Sequence, residues 1–408
     1  MTLGSGAGNR RVVVAVTLLA GVIAAAHVGK LPPALPSIRA QFRLDIVEAG
    51  WLTSTFSAVG AAAAIFLGAV ADRLNHWRLA VGGLALMALS GFAGSFAASA
   101  PQLLLSRFLE GLGFLAVAVA APSIIARITG GRARRVALGF WAGYLPAGVS
   151  LMILAAPLAL EAGGWRALWI AVALLAMSGA ALMWACGRGA ADALSSGARL
   201  APWHNIRVAV SRPGPWLAAG CFALYAAQLY AVITWMPTFM IDERGIGPAL
   251  AAALTAVAVA GNGSANLLGG WLLHRGASPS AMMAISGAAM AVFALGMFAL
   301  RLPDAARYAC CIVLCGAGGV VASAAFAAAP AFAPSPAQLG VVNGMLVQAS
   351  NLAQFIGPTA AAASVAAKGR WEGALGLFIG ANALLILLAL LLLRQEKTAA
   401  ARGGVRVG

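Results

Sequence analysis

The sequence predicts an all-α membrane protein with about twelve transmembrane helices in two pseudo-symmetric six-helix halves. Apolar residues make up 62% of the chain and charged residues only 9%, whereas a soluble domain carries about a quarter charged residues. The apolar residues also come in long stretches, and a helix needs about 20 of them to cross a bilayer core of about 30 Å. Basic residues are concentrated in alternate connections between these stretches.

The apolar stretches define the predicted spans in order along the chain. A membrane barrel would instead show short segments of alternating polarity. The first stretch follows Arg10 and Arg11, but it is too long for the apolar core of a signal peptide, so we expect it to be retained. The predicted spans are 12–36, 47–70, 79–99, 101–126, 137–160, 167–187, 214–240, 248–272, 280–300, 308–331, 340–365 and 373–393.

The distribution of arginine and lysine predicts the orientation. The even-numbered connections and both ends of the chain hold most of them. Because positively charged loops remain on the cytoplasmic side, we expect both termini in the cytoplasm of a multi-pass protein of a cell membrane, such as the bacterial inner membrane. The longest polar connection, 188–213, lies between the sixth and seventh spans and separates a first half, 1–187, from a second half, 214–408.

The same distribution disfavours several other classes of protein. A nucleic-acid-binding protein gathers its basic residues on one surface, but here they mark the membrane boundary despite a net charge of +16. The five cysteines have no metal-ligand spacing with histidines, so we expect no metal ion and no cofactor. An intramembrane enzyme needs a constellation of reactive groups at membrane depth, and the sequence shows none. We therefore predict a non-enzyme.

Two short motifs occupy equivalent positions in the two halves. Gly68-x-x-x-Asp72-Arg73 follows the second span, and Gly270-x-x-x-His274-Arg275 follows the eighth. A further motif, SRFLEGLGFLAV, places Arg107, Glu110, Gly111 and Gly113 in the fourth span, and GGWRALW, 163–169, forms the entry into the sixth.

These motifs resemble the major facilitator superfamily over essentially the whole chain, and bacterial drug or metabolite efflux and cyanate-type porters in particular. The resemblance implies a conformational latch between the halves, formed by the second-span motif and its counterpart. The alternative is that the basic residues only anchor loops. Asn75 stands where the family usually has glycine, His274 replaces an aspartate, and Glu110 replaces a more common glutamine. The implied latch residues are Gly68, Asp72, Arg73, Arg78, His274 and Arg275.

Three charged residues lie inside spans, where each costs several kcal/mol without a partner or a water-filled cavity. Arg107 and Glu110 share one helix face because they are three residues apart. In the resembled fold, the first and fourth helices line a central cavity, which brings His27 and Lys30 towards that face. We expect Glu110, Arg107 and His27 to couple transport to protons, because desolvation and a nearby cation act oppositely on a carboxylate. The alternatives are a structural Glu110–Arg107 pair and cations that snorkel to the interface.

Uncharged polar side chains supply the remaining predicted substrate contacts. They favour a ligand that is hydrogen-bonded and stacked, although asparagine and glutamine can also hold membrane helices together. The expected substrate-cavity residues are Lys30, Tyr225, Gln228, Asn262, Asn266, Gln348, Asn351 and Gln354.

The sequence thus predicts a proton-coupled secondary transporter of a small organic molecule. We expect two halves that rock around a midplane site, as the resemblance implies, with export favoured over uptake by an antiporter-like fifth span. The alternative is uptake of a small organic anion, such as a cyanate-like or carboxylate solute, bound by Lys30 and Arg107. The expected partners are the small-molecule substrate, protons and the lipid bilayer, with no nucleic acid, and the protein is expected to be a monomer.

Overall fold

The computed structural model describes residues 7–71, 75–129, 133, 137–138, 140–141, 143–187, 202–299, 302–332 and 338–403. Regular structure within these ranges is helical, so the predicted all-α class is confirmed. The helices are α1 (Ala7–Gly29), α2 (Leu31–Phe42), α3 (Ile46–Ala71), α4 (His76–Ser95), α5 (Ala100–Ile128), α6 (Tyr144–Cys186), α7 (Pro202–Val210), α8 (Pro213–Arg244), α9 (Pro248–His274), α10 (Pro279–Phe298), α11 (Asp304–Phe332), α12 (Leu339–Lys368) and α13 (Leu375–Gly403), with a 3-10 turn at Trp371–Ala374.

Nine helical segments of the described chain are long and apolar enough to cross a membrane. The count of twelve spans and the cytoplasmic position of both termini remain predictions. Most of the predicted fifth span and nearly all of the sixth lie in the single helix α6, whose path is broken at Gly163 and Gly164. Gly164 has a φ of 68°, a conformation that residues with a Cβ rarely adopt. A glycine therefore permits the sharp change of direction within α6.

The first predicted span is longer than expected and consists of two consecutive helices. One candidate span runs from Arg10 to Phe42 and includes both α1 and α2. Pro32 and Pro33 lie in the first turn of α2, where the lack of a proline N–H costs least. Because proline also cannot donate a hydrogen bond to the preceding turn, these residues explain why α1 ends at Gly29. Lys30 is the junction between the two helices.

The described chain forms two compact units. The first comprises residues 1–200 and 233–256, and the second comprises residues 201–232 and 257–408. The predicted linker, 188–213, includes residue 200, where the first segment of the first unit ends. The second segment of the first unit, 233–256, consists of the end of α8 and the start of α9. The proposed division into two six-helix halves remains a prediction.

Close helix packing characterises each unit. In the first unit α4 packs against α5 and α6, α1 packs against α6, and α3 packs against α5; in the second, α10 packs against α11 and α13. A Cβ added to Gly148 of α6 would collide with the carbonyl oxygen of Val22 on α1. Such small residues allow membrane helices to approach closely, and this explains a fifth-span glycine without a transport role.

Candidate functional site

Four ionisable side chains meet inside the first unit and form what we call the charged cluster: His27, Lys30, Arg107 and Glu110. His27 and Lys30 come from the α1–α2 junction, and Arg107 and Glu110 come from α5. Their relative exposures are 0%, 0%, 1% and 0%. The structure thus brings together residues that the sequence placed on two separate spans.

Glu110 lies at the centre of the charged cluster. Its Oε1 accepts a hydrogen bond from Lys30 Nζ at 2.5 Å, and its Oε2 accepts one from Arg107 Nη1 at 2.5 Å. His27 Nδ1 lies 3.5 Å from Oε1. Each carboxylate oxygen therefore has its own cation. Such charge-assisted hydrogen bonds are stronger than those between neutral groups.

Arg107 links the end of α1 to α5. Its Nη1 also donates to the carbonyl oxygen of His27 at 2.8 Å, and its guanidinium lies 4.5 Å from the centre of the Phe56 ring. Carbonyl groups at the C-terminal end of a helix lack intrahelical partners and favour cations. The end of α1 therefore provides a site for positive charge.

Lys30 is enclosed by protein groups. Its Nζ lies 3.5 Å from His27 Nδ1 and 4.4 Å from the centre of the Trp169 ring on α6, in addition to the bond to Glu110. Neither Lys30 nor Arg107 reaches the surface of the protein, so the snorkelling interpretation is wrong for both. Sequence reasoning missed Trp169 as a contact, although it lies in the GGWRALW motif.

Helix α4 approaches the charged cluster at Gly91. A Cβ at this position would lie 2.9 Å from Glu110 Oε1 and 3.4 Å from His27 Cε1. The absence of a side chain therefore lets α4 close one side of the cluster. Nothing in the sequence distinguishes this glycine from the other glycines of the third span.

The charged cluster contains one cation more than it contains anions. Lys30 and Arg107 are balanced by Glu110 alone, so the cluster has a net charge of +1 when His27 is neutral. His27 Nε2 is buried and has no hydrogen-bond partner within the described part of the chain. A buried polar atom without a partner is uncommon and calls for an explanation.

The second unit contains uncharged hydrogen-bonded groups instead. Asn262 Nδ2 donates to Tyr225 Oη at 3.0 Å and to the carbonyl oxygen of Cys315 at 2.7 Å. Gln228 and Asn382 exchange two amide hydrogen bonds, at 3.1 Å and 2.9 Å. Sequence reasoning missed Asn382, the one asparagine in the leucine-rich last span.

The other predicted substrate-cavity residues are more dispersed. Asn351 donates to the carbonyl oxygen of Val347, and Gln354 donates to Ser350 Oγ, at 2.8 Å and 3.1 Å. These bonds lie within α12. Asn266 and Gln348 are half-buried. Within the second unit, the structure thus brings Tyr225 together with Asn262, and Gln228 together with Asn382.

The predicted latch is described only in part. Asp72 and Arg73 lie outside the described residues, and Gly68 lies near the end of α3. Asn75 Oδ1 accepts a hydrogen bond from the backbone N–H of Arg78 at 3.1 Å, so the residue that departs from the family motif caps α4. Arg78, His274 and Arg275 are exposed. The Cζ atom of Arg275 lies 4.0 Å from the centre of the Trp271 ring.

Two known proteins that are similar to part of this chain are named as export proteins. The chain is 33% identical over 138 residues to the multidrug efflux pump LfrA of Mycolicibacterium smegmatis, which is 34% of this chain and 27% of the relative. It is 32% identical over 96 residues to the cephamycin export protein CmcT of Amycolatopsis lactamdurans, which is 24% of this chain and 19% of the relative. The matched segments thus span about a quarter or less of each relative's length.

Solved structures with a similar fold include two of a bacterial homologue of the human lysosomal transporter Spinster. The inward-facing, occupied form has a TM-score of 0.76, with 17% identity over 96% of this chain and 98% of that chain. The inward-facing, unoccupied form has a TM-score of 0.72, with 17% identity over 95% of each chain. At this identity the likeness concerns the fold.

The family comparison agrees with the fold and extends over most of the sequence. A family model described as Major Facilitator Superfamily matches residues 17–358. Members of this family are membrane transporters, and the predicted resemblance is confirmed. The chain belongs to the Major Facilitator Superfamily.

Proposed function

We propose that this protein is a proton-coupled secondary transporter that exports a small organic molecule by alternating access. The observation that carries the proposal is the charged cluster, in which four ionisable side chains are buried with a net charge of +1. Glu110, Arg107 and His27 are the proton-coupling residues of the proposal, and Lys30 joins them through its bond to Glu110.

Stability alone does not explain the composition of this cluster. Buried ion pairs gain little over well-packed apolar residues, because desolvation offsets the attraction between the charges. A structural pair would need only Arg107 and Glu110, whereas the cluster adds a second cation and a histidine. Ionisable groups at membrane depth commonly belong to ion and proton pathways.

The direction of transport in the proposal rests on the relatives. One is named as a multidrug efflux pump and the other as a cephamycin export protein. Both names describe outward movement of organic compounds, which supports export over uptake. We also propose a bacterial inner-membrane location and a monomer, as expected from the sequence.

The proposed substrate contacts are uncharged groups of the second unit together with Lys30. Tyr225 and Asn262 combine an aromatic ring with a buried amide, and Gln228 supplies a second amide. Such groups suit an organic molecule with few charges, because a pocket fixes its ligand with a small number of placed polar groups. Asn266, Gln348, Asn351 and Gln354 complete the proposed set.

One observation favours a second candidate function, the uptake of a small organic anion. The excess positive charge on Lys30 and Arg107 would attract a carboxylate or a cyanate-like solute. In this structure, however, both cations are bound by Glu110 and shielded from solvent. The first candidate therefore fits the observed contacts better.

Flux into proteoliposomes tests the proposal. The purified protein would be reconstituted, and the movement of ethidium, a cephamycin and a small carboxylate would be measured with and without an imposed pH gradient. We expect transport of an organic compound that is accelerated by the gradient, with protein-free liposomes as the control. Transport that ignores the gradient would contradict proton coupling, and faster movement of the carboxylate alone would favour anion uptake.

A further inference from the structure

We propose that Lys30, rather than Glu110, is the residue that gains and loses the transported proton. This inference rests on the proposed proton-coupled transport and assigns the change of charge to one side chain of the charged cluster. It follows from the charge balance of the cluster and from the surroundings of the Lys30 ammonium.

The charge balance favours loss of a proton from Lys30. The observed pairing of two cations with one carboxylate leaves one buried positive charge without a counter-ion. If Lys30 becomes a neutral amine, Arg107 and Glu110 remain as one cation and one anion, and the hydrogen bond between them is kept. The cluster then carries no net charge, which is the less costly state for a site shielded from water.

Protonation of Glu110 has the opposite effect. It would remove the single carboxylate that contacts Lys30 and Arg107 and leave two buried cations side by side. A buried cation whose partner is removed is strongly destabilising. Arginine does not lose its proton in proteins, so Arg107 cannot relieve this charge. Glu110 is therefore the fixed anion of the cluster.

The ammonium of Lys30 has three partners among the surrounding protein groups. These partners are the Glu110 carboxylate, His27 Nδ1 and the face of the Trp169 ring. The site therefore holds a protonated lysine without requiring a bound ligand. Its burial by α5 and α6 keeps the charge away from solvent in this conformation.

In this proposal His27 accepts the proton from Lys30 and passes it to water. When Nδ1 accepts from Lys30, His27 is neutral and carries its hydrogen on Nε2, the buried atom that has no partner within the described ranges. Transfer breaks an Nζ–H bond of Lys30 and forms an Nδ1–H bond on His27. The imidazolium then releases the Nε2 proton to water, which leaves a neutral lysine and the other histidine tautomer.

Other ionisable groups do not alter this balance among the described contacts. The ionisable groups around Lys30 are Glu110, His27 and, through its own bond to Glu110, Arg107. Helix α6 contributes the Trp169 ring, and α4 contributes Gly91, which has no side chain. No second carboxylate among the described residues is paired with Lys30 or Arg107.

The sequence offers a direct spectroscopic test, because the chain contains only three lysines: Lys30, Lys368 and Lys397. Lys368 and Lys397 are exposed. The full chain would be produced with lysine labelled at Cε with an NMR-active isotope and placed in lipid nanodiscs. The variants Lys368→Arg and Lys397→Arg assign two signals, and the remaining signal belongs to Lys30 even if changes at that position impair folding.

We expect the Lys30 signal to change between the ammonium and amine forms over a pH range in which Lys368 and Lys397 keep the ammonium form. In His27→Gln, we expect slower exchange between the two forms of Lys30. A Lys30 signal that stays in the ammonium form over the whole range in which the protein remains folded would overturn the proposal. This readout needs no substrate, so pH-driven transport with an unchanging Lys30 would refute the inference while leaving the proposed function intact.

Discussion

The two units of the molecule stabilise their buried polar groups in different ways. The first unit buries Lys30, Arg107 and Glu110 as a cluster with unequal numbers of cations and anions. The second buries Gln228 and Asn382 as a reciprocal amide pair in which each group both donates and accepts. The first arrangement has an excess of positive charge, whereas each amide of the second has both a donor and an acceptor partner.

This difference suggests that the two units have different roles in transport. A satisfied amide pair holds helices together or contacts a substrate without responding to pH. In the proposal the charged cluster has two states, with and without the proton on Lys30, and an element with two states is what coupling requires. We therefore propose that energy coupling belongs to the first unit and that most substrate contacts belong to the second.

The largest expected effect comes from removing the anion of the charged cluster. Glu110→Gln leaves two buried cations without a partner, so we expect a loss of about 3–5 kcal/mol in the free energy of unfolding. The measurement is the temperature at which the purified protein loses its monodisperse state in detergent.

Lys30→Gln is the matched change at the other end of the same ion pair. It leaves the Arg107–Glu110 pair balanced, so we expect a clearly smaller loss of stability than in Glu110→Gln. Equal losses in the two variants would show that the excess cation is not the reason for the instability.

A second prediction concerns the close approach of α4 to the charged cluster. In Gly91→Ala the new Cβ would lie 2.9 Å from Glu110 Oε1, and overpacking of this kind costs about 1–3 kcal/mol. Gly82→Ala on the same helix is the control, because a Cβ there would meet nothing within 4 Å. Thermal stability of the two variants would be compared, and a Gly91→Ala protein as stable as Gly82→Ala would argue against tight closure.

Replacing a member of the Gln228–Asn382 pair in the second unit should destabilise the protein less than the changes at the charged cluster. Hydrogen bonds between membrane helices contribute about 1 kcal/mol or less, so we expect Asn382→Leu to destabilise the protein by about that amount. Gln228→Leu and the double variant complete a thermodynamic cycle. The double variant should lose less than the sum of the single changes, whereas strict additivity would show that the two amides do not depend on each other.

The smallest effect on stability is expected at the predicted latch. Asp72→Asn keeps the shape of the side chain and removes its charge, and a surface ion pair contributes at most about 1 kcal/mol. We expect a changed rate of transport in proteoliposomes with little loss of folded protein. Transport at the unchanged rate would leave Asp72 as an ordinary loop residue.

Composition was sufficient to predict the helical membrane class, because runs of about 20 apolar residues have few other stable arrangements. The sequence also placed Arg107 and Glu110 on one face through their spacing. It could not show that Lys30 contacts Glu110, because that bond joins residues of separate helices. Trp169, Gly91 and Asn382 were missed for the same reason: helix packing, rather than local pattern, gives them their partners.

The most direct test is to measure proton movement by a Lys30→Arg variant, in which the excess cation of the charged cluster cannot lose its proton. Wild-type protein, Lys30→Arg and the control Lys368→Arg would be reconstituted in liposomes containing the pH dye pyranine, with ethidium and a cephamycin as trial substrates. We predict gradient-driven accumulation and coupled proton movement by the wild type and by Lys368→Arg, and neither by Lys30→Arg. Accumulation and proton movement at wild-type rates in Lys30→Arg would contradict the assignment of coupling to a change of charge at Lys30.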